Sequence, residues 1–360
     1  MEMFTCSTRI LCGRGSVARL QELGIRRLLV VADPYFTANG EAERISALAN
    51  AEAVTVFDKV RPDPTVELAA EGTALCREFQ PDTVVAVGGG STLDCAKAMV
   101  HFSGLAVDLV AIPTTSGSGS EVTDFAVLTH NGDKRPIVDP RLRPKVAILD
   151  GDLLTKLPRT LIADTGFDTL SHAIEAYVST GAGGFTDALA QNAVSVVYGN
   201  LAASYGGDVS VRQRIHEASA MAGVAFSSAG LGLCHAMSHA LGGILHIPHG
   251  RLNAILLPAV IRLNAYKCQE KYAKLARAAG FGGSADSMAV RNLCNGLQRL
   301  RRELKMPETL CQAGADPRNL WQLTERVVSA TLADPCCKTN PLLVEDFMVR
   351  RIFSEVCGRV

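Results

Sequence analysis

Apolar residues recur in two rhythms over the first 150 positions. Arg27–Ala32 (RLLVVA), Ala53–Phe57 (AVTVF), Thr83–Val87 (TVVAV), Asp108–Ile112 (DLVAI) and Val146–Leu149 (VAIL) are short, almost wholly apolar and rich in β-branched residues. Such runs predict strands buried on both faces. Between them, Glu41–Asn50, Val66–Phe79 and Thr92–Phe102 space their apolar residues three and four apart, which predicts amphipathic helices. Strand–helix alternation of this kind predicts a mostly parallel sheet with helices on both sides. After Asp150 no convincing strand remains, and Thr186–Val197, Arg212–Ser227 and Val344–Val356 predict helices. Small residues (Ala218, Ala220, Ala222, Gly223, Ala225) predict that these helices pack closely. The expected organisation is an α/β domain over 1–157 and an all-α domain over 158–360. No Pro/Ser linker separates them, so the domains are expected to abut around a cleft.

Composition narrows the choice of partners. The 360 residues carry 36 Lys plus Arg and 36 Asp plus Glu, a formal net charge of zero, with 48% hydrophobic and 20% charged residues. That balance disfavours disorder and leaves no electrostatic footprint for nucleic acid or anionic lipid. No apolar run approaches the roughly 18 residues of a membrane span, and the opening MEMFTCSTRILCGRG lacks the pattern of an export or transit segment. Eleven scattered cysteines, odd in number and without CxxC, suit free thiols in a reducing compartment. The cytoplasm is the expected location.

Two turns in the first half carry candidate chemistry. Gly88-Gly89-Gly90-Ser91 follows a predicted strand and opens a helix, so backbone amides can approach a phosphate at the positive helix end. Ser91 and Asp94 also fit an S-x-x-D helix cap, and the pattern is not GxGxxG. The next strand ends in Pro113-Thr114-Thr115-Ser116-Gly117-Ser118-Gly119-Ser120-Glu121, a second hydroxyl- and glycine-rich turn. Turns at the carboxyl ends of neighbouring strands suit one extended phosphate-bearing ligand. Asp33 ends the first predicted strand, where a carboxylate accepts from ribose hydroxyls and repels a 2′-phosphate; a solvated turn aspartate is the competing reading.

The second half concentrates imidazoles. Four of eight histidines, His235, His239, His246 and His249, fall in CHAMSHALGGILHIPHG. His235 and His239 share a helix face, with Gly242-Gly243 expected to break that helix. Asp168 and His172 stand at i, i+4 in GFDTLSHAIEAYVS, opposite an apolar face through Phe167, Leu170, Ile174 and Tyr177. Imidazoles with one carboxylate suit a divalent first-row ion such as Fe²⁺ or Zn²⁺, and the absence of HEXXH excludes a zincin protease.

The segments GGGSTLD, PTTSGSGSEVT, GFDTLSHAIEAYVS and GLCHAMSHALGGILHIPHG, with Thr339-Asn340-Pro341 near the end, resemble the iron-containing (group III) alcohol dehydrogenase family over nearly the whole chain. Within it, the Thr-Arg-Ile opening, VRPDPT and FTDALA look closest to the 1-propanol dehydrogenases of propanediol-utilisation systems. The resemblance implies a Rossmann-like N-terminal domain and a helical C-terminal domain, the architecture shared with dehydroquinate synthase. It implies Fe²⁺, with Zn²⁺ as a competing occupant, on Asp168, His172, His235 and His249. It places His239 beside the metal as a non-ligand, either a proton relay or an orienting group. It places NAD(H) contacts on Asp33, Gly89, Gly90, Ser91, Asp94, Thr114, Thr115, Ser118 and Lys134. The implied reaction interconverts a short-chain primary alcohol and its aldehyde, 1-propanol and propanal first, regenerating NAD by aldehyde reduction. Ethanol, 1,3-propanediol and lactaldehyde are alternative substrates. The implied partners are a second copy of the chain, as a homodimer, and a microcompartment shell or pathway enzymes. A dehydroquinate-synthase-like lyase would need several Lys or Arg near the metal, where the sequence offers only Arg251. A non-catalytic protein on the same fold would not need both intact phosphate turns and intact ligands. Ser118 where Thr is usual, Cys234 before the third ligand and the terse GAGG after Thr180 are departures from the family pattern.

Overall fold

The computed structural model describes residues 4–131 and 133–358. It divides into two compact units, Thr5–Leu157 and the chain from Pro158 onward together with Phe4.

The first unit runs β1 (Arg9–Cys12), β2 (Arg27–Ala32), α1 (Pro34–Ala38), α2 (Glu41–Ala49), β3 (Ala53–Phe57), α3 (Val66–Phe79), β4 (Thr83–Gly88), α4 (Gly90–Ser103), β5 (Asp108–Pro113), β6 (Phe125–His130), β7 (Asp133–Val138) and β8 (Val146–Leu149). Six strands form one parallel sheet in the order β1-β8-β5-β4-β2-β3. The alternation of side chains explains the continuous apolar runs. Leu28, Val30, Ala32, Val85 and Val87 face a core with Phe36, Ala42 and Ile45. Leu29, Val31, Val84 and Ala86 face another with Ala69, Cys76, Leu93 and Met99. The apolar residues of β2 and β4 thus find an apolar layer whichever way they point. From β2 the chain crosses to β3 on one side and to β4 on the other, so the ends of β2 and β4 flank the point where strand order reverses. β6 and β7 form a separate antiparallel hairpin that the apolar-run pattern does not mark, because its second strand is the charged DKRPIV.

The second unit holds α5 (Arg159–Val178), α6 (Gly184–Gly206), α7 (Arg212–Ala229), α8 (Leu233–Leu245), α9 (His249–Ala278), α10 (Asp286–Glu303), α11 (Pro317–Leu320), α12 (Thr324–Ala333) and α13 (Asp346–Cys357). α5 is its central rod, packed against α6, α7 and α9. Every residue from Gly166 to Val178 is buried, so Asp168 and His172 do not lie on a polar surface face as amphipathic reasoning predicts. Two glycines set the closeness: a Cβ on Gly166 would meet Leu201, and one on Gly250 would stand 1.9 Å from the Asp164 carbonyl oxygen. α8 continues through Gly242-Gly243 and stops only at His246, which takes a left-handed φ of 55°. The expected break at the glycines is therefore displaced by one turn. Two glycines disfavour a helix by about 2 kcal/mol, less than the packing of its buried face returns. All eleven cysteines are free thiols. Among the described residues, no single helix is long and apolar enough to cross a membrane.

Candidate metal centre and nucleotide turns

Asp168 and His172 project from α5 one turn apart, His235 comes from the first turn of α8, and His249 opens α9. Their arrangement centres on one oxygen. Asp168 Oδ1 lies 3.9 Å from His172 Nε2, 3.9 Å from His235 Nε2 and 3.4 Å from His249 Nε2. Donors bound about 2.1 Å from a tetrahedral ion stand roughly 3.4 Å apart, so each imidazole stands from Asp168 about as one donor stands from another round a cation, and Asp168, His172 and His235 bring donor atoms within 4.8 Å of one another. Ring contacts hold them there. His172 stacks on Phe226 at 4.3 Å and on His235 at 4.5 Å between centroids. Burial alone would raise the Asp168 pKa, but His172, His249 and His235 outweigh it and hold the carboxyl well below its usual range. One carboxylate and three imidazoles, with no thiolate in the set, fit a divalent first-row metal.

The remainder of the site was not legible as a motif. Asn253, fully buried on α9, donates from Nδ2 to Asp168 Oδ1 at 2.8 Å. Its Oδ1 accepts from Ser238 Oγ, which fixes the amide's orientation. Glu175 reaches His235 Nδ1 at 2.6 Å from α5. Their sequence signals are spacing alone: His249-x-x-x-Asn253 and Asp168-x-x-x-His172-x-x-Glu175 put each residue on its ligand's helix face. Thr339 donates from Oγ1 to the Leu231 carbonyl, and Asn340 Oδ1 accepts from Leu233 N, so Thr339-Asn340 pins the start of α8.

His239 lies one turn beyond His235. It does not join the atoms round Asp168; its Nδ1 pairs with Asp334 Oδ2 at 2.9 Å, and its ring stacks on His249 at 5.1 Å. Burial works against ionisation of Asp334, yet the bond to His239 brings its pKa down to about 2. The side chain of His239 is 43% exposed, open to solvent on a face where Asp168 and His235 are not. His246 only terminates α8. Arg251, the one basic residue the lyase reading could use, is paired in two hydrogen bonds with Asp164.

In the first unit the two glycine- and hydroxyl-rich turns lie side by side. Thr114 N donates to the Gly88 carbonyl, while a Cβ on Gly89 would touch Thr115 and one on Gly90 would touch Ser118 at 3.0 Å. Gly89 is the N-cap of α4 and supplies no side chain, so the S-x-x-D cap does not form. Ser91 Oγ instead accepts from Asp63 N, and Asp94 accepts from Ser120 Oγ at 2.6 Å and Val127 N at 3.0 Å. Asp94 therefore ties the second turn and β6 to α4 with both oxygens engaged by protein donors. Asp33 caps α1 through Tyr35 N and Phe36 N, the turn role anticipated as its competing reading. Lys134 is paired with Asp63 at 2.7 Å, one residue pair away from Ser91. A cavity of about 630 Å³ is lined by Pro34, Asp58, Arg61, Asp63, Thr65 and Leu68.

Comparison with known proteins agrees with this architecture. The family model for the iron-containing alcohol dehydrogenases matches residues 7–151, and that for the C-terminal part of the Fe-containing alcohol dehydrogenase family matches 162–357. The chain is 38% identical to the 1-propanol dehydrogenase PduQ of Citrobacter freundii, covering 99% of this chain and 100% of that protein. An iron-containing alcohol dehydrogenase from Thermococcus thioreducens superposes with a TM-score of 0.91 at 35% identity, covering 98% of this chain and 99% of that one. The sulfoacetaldehyde reductase of Bifidobacterium kashiwanohense, solved in complex with NAD⁺, superposes with a TM-score of 0.89 at 27% identity over 99% of both chains. The chain belongs to the iron-containing alcohol dehydrogenase family, as an NAD-dependent, metal-containing alcohol dehydrogenase.

Proposed function

We propose that this enzyme interconverts a short-chain primary alcohol and its aldehyde, 1-propanol and propanal above others, with Asp168, His172, His235 and His249 as its metal ligands. The observation that supports the ligand set best is the convergence of three imidazole Nε2 atoms on Asp168 Oδ1 at 3.4–3.9 Å. When bound, a divalent cation polarises the substrate oxygen as a Lewis acid, and the nicotinamide supplies or accepts the hydride.

The protein's own residues do the remaining work. Asp334 accepts the Nδ1 proton of His239, which leaves Nε2 as the basic nitrogen that takes up an alcohol proton or returns it to an alkoxide. The Gly88–Ser91 and Thr114–Ser118 turns offer amides and hydroxyls to a pyrophosphate at the ends of adjacent strands β4 and β5. Asp33, which caps α1 through Oδ1 at the carboxyl end of β2, is the carboxylate that would accept from a ribose and disfavour a 2′-phosphate. The resemblance to 1-propanol dehydrogenases supports propanal as substrate. It also supports a homodimer that works with the enzymes of a propanediol-degrading compartment.

A substrate screen on anaerobically purified, iron-loaded enzyme tests this reading. NADH oxidation with C2 to C6 aldehydes is expected to give the highest kcat/KM with propanal, and full metal removal is expected to abolish turnover. A maximum at another chain length overturns the substrate, and turnover that survives complete chelation overturns the metal's role.

A further inference from the structure

The first turn of a helix leaves backbone N–H groups without intrahelical partners. At the start of α8 these groups are met from distant parts of the chain. Glu175 accepts from Gly232 N at 3.1 Å, Cys234 N at 2.7 Å and His235 N at 3.2 Å, while Asn340 accepts from Leu233 N at 3.1 Å. The same carboxylate takes the Nδ1 proton of the His235 ring at 2.6 Å. Glu175 is 2% exposed and stands seven residues after Asp168 and three after His172, on the same side of α5.

We propose that Glu175 is the positioning residue of the metal centre: one carboxylate sets both the tautomer of His235 and the backbone that carries it. An acceptor at Nδ1 keeps that nitrogen protonated, so at Nε2 it is a lone pair and not a proton that faces Asp168 Oδ1 and the Asn253 amide, the state a cation requires. The four hydrogen bonds lock the ring's donor state to the start of α8, and through the shared helix α5 to the first two ligands. This inference rests on the assignment of Asp168, His172, His235 and His249 as ligands, and deepens it.

Glu175→Gln removes the charge and one of the two acceptor oxygens. Oε2 serves the His235 ring together with Gly232 N and His235 N, and Oε1 serves Cys234 N, so an amide NH₂ at Oε2 donates to the ring and favours the tautomer whose Nε2 is closed to metal, at the cost of two backbone bonds. The full-length chain is stripped of metal and titrated with Co²⁺ against a competing chelator, with the visible d–d spectrum and the apo-protein Tm recorded. Asn340→Ala, which removes a cap and leaves the ring contact, is the control. The expected result is a 10- to 100-fold loss of Co²⁺ affinity in Glu175→Gln with an altered spectrum, beyond the effect of the lowered apo Tm that it shares with Asn340→Ala. Asn340→Ala is expected to lower the apo Tm without changing the spectrum. Should Glu175→Gln not fold, Glu175→Asp, which keeps the charge and withdraws it from the ring, is read in the same way. Affinity within twofold of wild type and an unchanged spectrum, or a loss no greater than that of Asn340→Ala, overturns the proposal. Failure of the wild-type chain to take up Co²⁺, or retention of tight binding by Asp168→Ala, overturns the ligand assignment beneath it.

Discussion

Glu121 is a carboxyl with 2% exposure inside the second glycine-rich turn, and nearby Lys97 is wholly buried. Lys97 Nζ is satisfied, donating to the Thr123 carbonyl at 3.0 Å, Thr123 Oγ1 at 3.1 Å and the Phe125 carbonyl at 2.8 Å. Burial still lowers its pKa to about 8, and burial raises that of Glu121 to about 7, against the opposing pull of Lys97. A folded pKa above the unfolded value means that the native state holds the proton more tightly. Glu121 therefore contributes stability that is fully present below about pH 4.5 and lost as pH rises through 7. The loss is on the order of 3 kcal/mol at most. Thermal unfolding of wild type and Glu121→Gln between pH 4.5 and 8 checks this: the variant should gain on wild type as pH rises. Parallel Tm curves would show that the carboxyl is solvated after all.

At the scale of elements, α8 shows what a single backbone position can control. A Cβ added at Gly232 would lie 2.8 Å from both Asn340 Oδ1 and Glu175 Oε1, the two groups that cap the helix. Gly232→Ala is expected to push both away and destabilise the second unit by about 1–3 kcal/mol, with weaker metal retention. Urea unfolding and chelator competition measure the two effects, and wild-type values for both would sink the capping account. The same helix marks how far the sequence was readable. The parallel sheet announced itself because strands buried on both sides cannot hide an apolar run, as in VVAV of β4. Asp168 and His172 were visible because their relation is local, one turn of one helix. Glu175 and Asn253 were not, since their meaning lies in partners such as the His235 ring, sixty and eighteen residues away. Asp94 misled for the same reason: a local cap motif lost to Ser120 and Val127, brought by a later turn and by β6. The glycines of α8 misled because propensity is weak beside burial.

Taken whole, the molecule divides its candidate chemistry as it divides its cores: glycine- and hydroxyl-rich turns on the sheet of one unit, clustered imidazoles on the helices of the other. A ligand that binds only the folded state stabilises the structure it touches, by about 2.7 kcal/mol at a concentration one hundred times its Kd. Metal is therefore expected to protect the helices that converge on Asp168, and NADH to protect the ends of β2, β4 and β5. Hydrogen exchange followed by mass spectrometry resolves the two. Chelation should speed exchange in α5 and in the first turns of α8 and α9 while leaving the sheet's protection and NADH affinity within about twofold. NADH should slow exchange at Gly88–Ser91 and Thr114–Ser118 whether or not metal is bound. His249→Ala should reproduce the chelated pattern with metal present, because it removes a donor without touching the nucleotide turns. If chelation or His249→Ala instead abolished NADH binding, or loosened both units alike, the metal would be holding up the nucleotide site, and this division of labour would be wrong.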